Sequence, residues 1–177
     1  MFRYVNLTSD DITPNLLMGF HHHQIIEKKY VFVGGKWEIS ETHEIGEWSD
    51  EKRVWIADNY LRRQIGEGGA VVAAFDDNIL VGFCSIDGYL RGDSAKYANL
   101  TMLFVDDEYK RKGIGKALFN AVSEHAIKLG AEKLFISAVP SVETVAFYFS
   151  MGCTDAKEII PEYIDTDDDR YLEYSLT

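Results

Sequence analysis

The sequence predicts one α/β domain in which helices flank a mixed central sheet. Val71–Phe75 and Leu134–Val139 are short apolar runs of strand length, bounded by turn-forming residues. Ile114–Leu129 instead repeats its apolar residues at helical spacing, and Gly130 follows as a helix stop. Because 46% of the 177 residues are hydrophobic, the chain can bury one sizeable core, and residues 1–177 are expected to form a single domain.

The N-terminal third is expected to alternate strands and helices. Its predicted elements are a strand over Met1–Asn6, a helix from Thr13 to about Lys28, a hairpin over Tyr30–Ser40 and a helix from Ser49 to about Ile65. Pro14 suits the first position of a helix, because an N–H there would have no intrahelical partner. Gly34 and Gly35 supply the positive φ angles of a tight hairpin turn, and Ser49 is a typical helix N-cap. No structure is assigned to Thr42–Trp48.

The remaining two thirds predict the larger part of the sheet. The elements are a hairpin of Val71–Phe75 and Ile79–Ile86, a strand over Leu100–Val105, the helix Ile114–Leu129, the strand Leu134–Val139, a helix after Ser141 and a last strand over Arg170–Leu176. The hairpin turns at Asp76-Asp77-Asn78, residue types that favour tight turns. Pro140 ends the strand that precedes it, because proline cannot donate a hydrogen bond to a sheet.

The turn between the strand Leu100–Val105 and the following helix carries the clearest chemical signal. Its glycines leave backbone N–H groups free to point outward, and the helix N-terminus adds the positive end of its dipole. Four basic residues surround the turn: Lys110, Arg111, Lys112 and Lys116. Local positive charge in a chain of net charge -11 indicates an anionic ligand. We expect a phosphate or diphosphate held by the N–H groups from Arg111 through Ala117.

Two common glycine motifs do not fit this turn. A P-loop would require glycine at Lys110 and a hydroxyl residue at Ala117. The dinucleotide-binding motif would require its third glycine at Leu118. A nucleotide-binding protein of either class is therefore disfavoured.

The turn resembles the acyl-CoA loop of the GNAT superfamily of N-acetyltransferases. The family pattern is Arg/Gln-x-x-Gly-x-Gly/Ala after a strand that ends in Val. Val105 ends the strand here, and Gly113 and Gly115 match the two small positions. Lys110 stands in place of Arg or Gln, which keeps the charge but loses the planar geometry.

A second motif follows at the interval that the family has. Its pattern is Asn-x-x-Ala-x-x-Phe/Leu-Tyr-x-x-x-Gly-Phe. Three positions match outright: Phe147, Tyr148 and Gly152. Three depart from it, at Ser141, Thr144 and Cys153. The resemblance covers roughly Val71–Leu176 and is looser in the N-terminal third.

The resemblance implies a reaction and a set of residues. The chain would transfer an acetyl group from acetyl-CoA, its co-substrate, to a primary amine, without a metal. Tyr148 would be the general acid, since a phenol is protonated at neutral pH and can donate to the departing thiolate. The cofactor-binding residues would be Leu103, Phe104, Val105, Lys110, Arg111, Lys112, Gly113, Ile114, Gly115, Lys116, Ala117, Ser141, Phe147 and Tyr148.

The family fold further implies how these residues act. The strand ending at Val105 would splay from Leu134–Val139, so that its free N–H groups bind the pantetheine amides and polarise the carbonyl. Residues of about 71–176 would form the cofactor-binding core, and about 1–70 the variable substrate part. Within and beside that part, Tyr30–Trp55 and the Gly88–Asp93 loop would select the acceptor.

The general base is left open by the sequence. Thr101 stands where many relatives have Glu, and a threonine is not a base at neutral pH. Water and four carboxylates remain candidates: Asp87, Glu44, Glu47 and Glu173. The alternative function is a non-catalytic, acyl-CoA-binding regulatory module. Thr101 favours that alternative, and Tyr148 opposes it.

The composition limits which partners and which cellular compartment are expected. The acidic balance argues against nucleic acid and is compatible with a small cationic amine. No apolar run approaches the length of a membrane span, and no basic leader with a cleavage site is present, so neither a membrane nor export is expected. Cys84 and Cys153 are the only cysteines and indicate free thiols in the cytoplasm. A homodimer is one option for the assembly.

Two segments resemble metal sites without the geometry that a metal needs. On the predicted helix, the side chains of His21, His22 and His23 would point about 100° apart and could not converge on one ion. Asp165–Asp169 begins like an EF-hand loop, but Arg170 replaces its turn glycine. No metal is expected at either segment.

Overall fold

A seven-stranded sheet forms the centre of the computed structural model, which describes residues 1–177. The strands are β1 (Arg3–Asn6), β2 (His23–Val33), β3 (Lys36–Glu47), β4 (Ala70–Asp76), β5 (Ile79–Ile86), β6 (Tyr97–Val105), β7 (Lys133–Ala138), β8 (Thr154–Asp155) and β9 (Arg170–Ser175). The central sheet has the order β1-β4-β5-β6-β7-β9-β8, while β2 and β3 form a separate hairpin. Its neighbours are antiparallel except β6 and β7, which are parallel. The predicted mixed sheet is therefore confirmed.

The helices lie on both faces of this sheet. They are α1 (Asp50–Trp55), a π-helical segment (Ile56–Leu61), α2 (Arg62–Gly66), α3 (Ile114–Lys128) and α4 (Val142–Ser150). The first three follow one another without a break, so the helix predicted from Ser49 is confirmed. The Ser49 side chain accepts a hydrogen bond from the Lys52 N–H, as an N-cap does.

Two apolar cores result, one on each face. Val72 and Ala74 of β4 point into the larger core, which packs against α3 and α4. Val71 and Ala73 point into the smaller core, which packs against the π-helical segment. Alternation along β4 therefore distributes its side chains between both faces, as expected for a central strand. We call the two sides the α3–α4 face and the α1–α2 face.

The helix predicted from Thr13 to Lys28 is wrong. Turns occupy residues 14–19, Gly19 has a φ of 83°, and β2 begins at His23. From His21 to Ile26, exposed and half-buried residues alternate, which is the period of a strand. Cross-strand pairing with β3 outweighs the local signal of Pro14. The predicted hairpin is real but longer than expected, because Thr42–Trp48 largely belongs to β3.

The β2–β3 hairpin bridges the carboxyl ends of β6 and β7. Near the end of β6, the Asp107 N–H donates to the His21 carbonyl at 3.0 Å. Beyond β7, the Tyr30 N–H donates to the Pro140 carbonyl at 2.7 Å. The hairpin strand β2 consequently crosses from one central strand to the other.

Candidate active site

The sheet splits between β6 and β7. The two strands pair only from Tyr97↔Lys133 to Leu100↔Ile136, although β6 continues to Val105. The remaining half of β6 stays paired with β5 on its other side. The splay that the family resemblance implied is therefore present, and it opens toward the carboxyl ends of both strands.

Backbone N–H groups of β6 line one wall of this split. The Asp106 N–H donates to the Val81 carbonyl at 2.9 Å, toward β5. Because successive N–H groups along a strand point in opposite directions, those of Val105 and Leu103 face the split. Phe104 points its side chain toward the α1–α2 face, where it packs against the smaller core. These donors are suited to hydrogen-bonding an extended chain of amides.

The glycine turn presents an uninterrupted row of donors at the end of that wall. None of the N–H groups from Lys110 through Lys116 donates to a protein acceptor, and the first helical bond runs from the Ala117 N–H to the Gly113 carbonyl. Gly113 has a φ of 83° and Arg111 a φ of 62°, which rotates the peptide groups outward. Such a nest at the N-terminus of a 15-residue helix fits a diphosphate.

The basic side chains at the turn differ in how they are engaged. Lys110 forms an ion pair with Asp107 at 2.7 Å, and the Lys112 ammonium lies 4.6 Å from the centre of the Tyr109 ring. Arg111 and Lys116 are exposed and form no ion pair within the protein. Those two side chains are therefore the ones free to neutralise a bound phosphate.

Gly115 lies where α3, α4 and β6 meet. A Cβ atom built on Gly115 would lie 3.2 Å from Cε2 of Phe147 and 3.7 Å from Cγ2 of Val105. The predicted cofactor residues Val105, Gly115 and Phe147 are thus brought together. Glycine is needed at position 115 because a side chain would have too little room there. At position 113 glycine instead allows the positive φ angle of the turn.

Tyr148 follows Phe147 on α4 and is buried in the larger core. Its ring packs near Phe119 and Phe147, and the side chain is 6% exposed. Burial, with smaller contributions from Cys153 and Cys84, raises the pKa of Tyr148 well above its ordinary value. The phenol is therefore protonated at neutral pH, and no protein group hydrogen-bonds it.

Ser141 serves the local structure of α4. Its hydroxyl accepts the Thr144 N–H at 3.0 Å and contacts the Thr144 hydroxyl at 2.7 Å. It is buried beneath β2, beside Lys29. Ser141 was predicted to contact the cofactor. In the structure its hydroxyl caps α4 at the end of the split.

The inward side of β2 lies across the split. His22 packs its ring against Phe104 of β6, with 5.0 Å between ring centres, and against Trp48 at 4.5 Å. Two residues later, the Gln24 amide donates to the Thr144 hydroxyl of α4 at 3.3 Å. Sequence reasoning missed both residues, because it placed them on a helix. Ile25 and Ile26 are adjacent and flanked by polar residues, so the sequence carried no alternation that would have identified this strand.

A buried polar network lines the α1–α2 face beside β6. The Asp87 carboxylate, 8% exposed, accepts from the Gln64 amide at 2.6 Å and from the Asn99 amide at 2.9 Å. The Gln64 carbonyl accepts from the Thr101 hydroxyl at 2.7 Å, and Ser85 lies 2.7 Å from that hydroxyl. Because the Thr101 proton is already donated to Gln64, Thr101 is a fixed member of the network.

Tyr60 enters this network from the π-helical segment. Burial raises its pKa, the Thr101 hydroxyl opposes that effect, and the nearby charges of Asp87 and Asp165 raise it further. Arg63 opposes these charges, and its guanidinium lies 5.6 Å from the centre of the Tyr60 ring. π-helical segments inside helices often occur at functional sites.

The other candidate bases are engaged elsewhere. Glu173 binds Lys133 at 3.0 Å and the Tyr97 hydroxyl at 2.8 Å, at the paired end of the split. Burial raises the pKa of Glu173, but these donors outweigh it and lower the pKa overall. Glu44 pairs with Lys29 at 2.6 Å on the hairpin, and Glu47 lies 3.6 Å from His23.

One cluster has the composition of a metal site but serves as a cap. His21, Asp106 and Glu108 offer ligand atoms within 4.8 Å of one another. The Asp106 carboxylate, however, already accepts the N–H groups of His21 at 2.8 Å and Glu108 at 2.9 Å. The cluster thus joins the start of β2 to the end of β6.

No helix in the structure combines the length and apolarity that a membrane span would need.

Comparison with known proteins agrees with this geometry. A protein-family model described as "Acetyltransferase (GNAT) domain" matches residues 44–160, about two thirds of the chain. No curated protein matches the sequence.

Three solved structures illustrate the fold. Nourseothricin acetyltransferase is 17% identical, with a TM-score of 0.71 over 99% of both chains. A Bacillus anthracis protein assigned as a streptothricin acetyltransferase, with acetyl coenzyme A bound, is 13% identical, with a TM-score of 0.71 over 99% of this chain and 98% of that one. The ribosomal-protein-S18-alanine N-acetyltransferase of Escherichia coli is 20% identical, with a TM-score of 0.55 over 98% and 90%. Since the family model covers more than half of the chain, this protein belongs to the GNAT family of acetyl-CoA-dependent N-acetyltransferases.

Proposed function

We propose that this enzyme acetylates a primary amine of a small cationic molecule. The observation that carries the proposal is Asp87, a buried carboxylate on the α1–α2 face that pairs with no cation. Its partners are neutral amides, which hold the carboxylate without cancelling its charge. A cationic acceptor would supply the missing positive charge.

Further acidic groups support a cationic acceptor. The negative charges of Asp87 and Asp165 both raise the pKa of the Tyr60 phenol, and Arg63 opposes them. Aromatic rings beside carboxylates are favourable surroundings for an ammonium group. Among the compared structures, nourseothricin acetyltransferase and the streptothricin enzyme are named for antibiotics, whereas the Escherichia coli enzyme is named for a protein alanine.

The cofactor side has a consistent set of roles. The free N–H groups of the glycine turn would hold the diphosphate of acetyl-CoA, with Arg111 and Lys116 adding charge. The N–H groups of Leu103 and Val105 would bind the pantetheine amides and stabilise negative charge on the carbonyl oxygen. Tyr148 would protonate the departing thiolate.

A CoA-release assay across an acceptor panel tests this proposal. The panel contains four acceptors: nourseothricin, spermidine, the amino acid glutamate, and a peptide whose N-terminal residue is alanine. We expect turnover with the first two and little with glutamate. Asp87→Asn should raise KM for the cationic acceptor by at least about tenfold, since a charge-assisted contact contributes about 1.5–3 kcal/mol. Asp77→Asn, an exposed turn residue at a φ of 52°, is the matched control.

Three outcomes would contradict the proposal in different ways. Turnover restricted to glutamate or other anionic acceptors would exclude a cationic substrate. Turnover of the alanine peptide alone would indicate a protein N-terminus as the acceptor. Acetyl-CoA binding by calorimetry without CoA release from any amine would support the alternative, a non-catalytic acyl-CoA-binding module.

A further inference from the structure

We propose that His22 is the general base of this enzyme and accepts the proton of the attacking amine. The inference rests on the proposed acetyl transfer to an amine and adds a residue that the family motifs do not include. It replaces the carboxylate expected at Thr101, whose hydroxyl is already bound to Gln64.

The position of His22 follows from the path of β2 across the split. His22 contacts Phe104 on one wall, while Gln24 bonds Thr144 on the other. Two residues of a strand span about 7 Å, so this pair covers the mouth between β6 and α4. A thioester whose carbonyl accepts from one of the free N–H groups of β6 would lie beneath it, with His22 on the side from which the acceptor approaches.

His22 is also the histidine whose ring has no hydrogen-bond or ion-pair partner. The other four are engaged: His21 with Asp106, His23 with Glu47, His43 with Glu27 and His125 with Asn6. The His22 ring is instead enclosed between Trp48 and Phe104. Its orientation is set by these rings, and a ring nitrogen is left for an incoming N–H.

The surroundings keep this imidazole neutral. Burial is the largest influence and lowers the pKa of His22, and the positive charges of Lys110, Arg53 and His23 act in the same direction. Asp107 opposes them. The two rings packed against it, Trp48 just after β3 and Phe104 on β6, are uncharged. A neutral imidazole at neutral pH can accept a proton.

The proton balance of the step then closes. As the amine nitrogen bonds to the carbonyl carbon, His22 takes one proton from that nitrogen. As the carbon–sulfur bond breaks, Tyr148 gives one proton to the sulfur. His22 afterwards releases its proton to water, and Tyr148 regains one from water. The products are the acetylated amine and CoA thiol.

A pH–rate profile of His22→Gln tests the proposal. Glutamine keeps polarity and approximate size but cannot accept a proton at neutral pH. With nourseothricin or spermidine, whichever the wild type turns over faster, kcat should fall by about 10²–10⁴-fold, and the acidic limb of kcat/KM assigned to His22 should disappear. Affinity for acetyl-CoA, measured by calorimetry, should stay within about twofold. His23→Gln, one residue away and exposed, should retain both rate and profile.

Two results would overturn the role of His22. One is a folded His22→Gln enzyme that keeps the wild-type rate and acidic limb. The other, independent of any variant, is an NMR titration of the wild type in which the His22 imidazole is protonated throughout the active pH range. If the wild-type enzyme is active, either result rejects the role of His22 and leaves the proposed function standing. If the wild-type enzyme releases no CoA with any amine, both the role of His22 and the proposed function are rejected.

Discussion

Backbone conformation at single residues decides how the phosphate turn presents its donors. Gly113 and Arg111 both have positive φ angles, yet only one of them is glycine. A non-glycine residue in the left-handed region costs about 1 kcal/mol or more, and such strain is typical of ligand-binding turns. Gly115 contributes differently, because its missing side chain leaves room for Phe147.

Gly115→Val should therefore greatly weaken acetyl-CoA binding. The new Cβ would lie 3.2 Å from the Phe147 ring, and the branched methyl groups would enter the space beside the free N–H groups. We expect at least about a tenfold rise in the dissociation constant, equivalent to about 1.4 kcal/mol. Calorimetry measures it. Gly66→Val, where an added Cβ meets nothing within 4 Å, is the control, and equal affinity in both variants would refute the assignment.

Tyr148→Phe should separate catalysis from packing. The change keeps the ring in the larger core and removes only the hydroxyl. If Tyr148 is the general acid, kcat should fall by about 10²–10⁴-fold with acetyl-CoA affinity nearly unchanged. Tyr174→Phe is matched, since Tyr174 packs on Phe119 in the same region at 5.0 Å. A near-normal kcat in Tyr148→Phe would assign this residue to packing.

At the scale of elements, the β2–β3 hairpin determines what lies over the split. One anchor of the hairpin is Arg170, only 7% exposed. Its guanidinium lies 4.6 Å from the Tyr30 ring centre, 5.0 Å from that of Trp37 and 5.1 Å from that of Phe149. The same guanidinium binds Asp155 through two hydrogen bonds of 2.7 and 2.9 Å. A planar cation is needed for both contacts.

Arg170→Lys should loosen the hairpin without touching the cofactor turn. A lysine cannot stack on the rings and bind Asp155 in the bidentate mode at once. We expect the free energy of unfolding to fall by about 2–3 kcal/mol in urea titrations, and KM for the acceptor to rise. Arg3→Lys, an exposed cation over Phe75, should change stability by less than about 0.5 kcal/mol. Equal effects of the two changes would exclude an anchoring role for Arg170.

At the scale of the whole molecule, the split sheet separates two electrostatic environments. Basic residues gather at the glycine turn, whereas the negative charges of Asp87 and Asp165 act on Tyr60, on the proposed acceptor side. Acetyl-CoA and a cationic amine would thus be drawn to different regions of one small domain.

Added salt should consequently slow the reaction with a cationic acceptor. Screening shortens the reach of charges from about 10 Å at 0.1 M salt to about 3 Å at 1 M. For spermidine or nourseothricin, kcat/KM should fall several-fold across that range, because steering raises encounter rates by about tenfold or more. An uncharged amine measured in parallel corrects for weaker acetyl-CoA binding. Equal salt dependence for both acceptors would argue against an acidic acceptor site.

The sequence by itself determined the fold class and the cofactor turn. Glycine spacing, basic residues and helical periodicity are local features, and the strand–turn–helix around Gly113 needs only neighbouring residues to form. The second motif around Tyr148 is local in the same sense. The central strands and α3 were therefore predicted within a few residues of their observed bounds.

Only the tertiary structure decided which residues lie on the proposed acceptor side. The segment around His22 was expected to be helical, but pairing with β3 made it a strand and carried it over the split. Asp87 follows β5, Gln64 lies on α2 and Thr101 on β6, and no spacing rule links them. Long-range contacts of this kind depend on how the sheet and helices pack, so their residues become recognisable as a site only after the chain has folded.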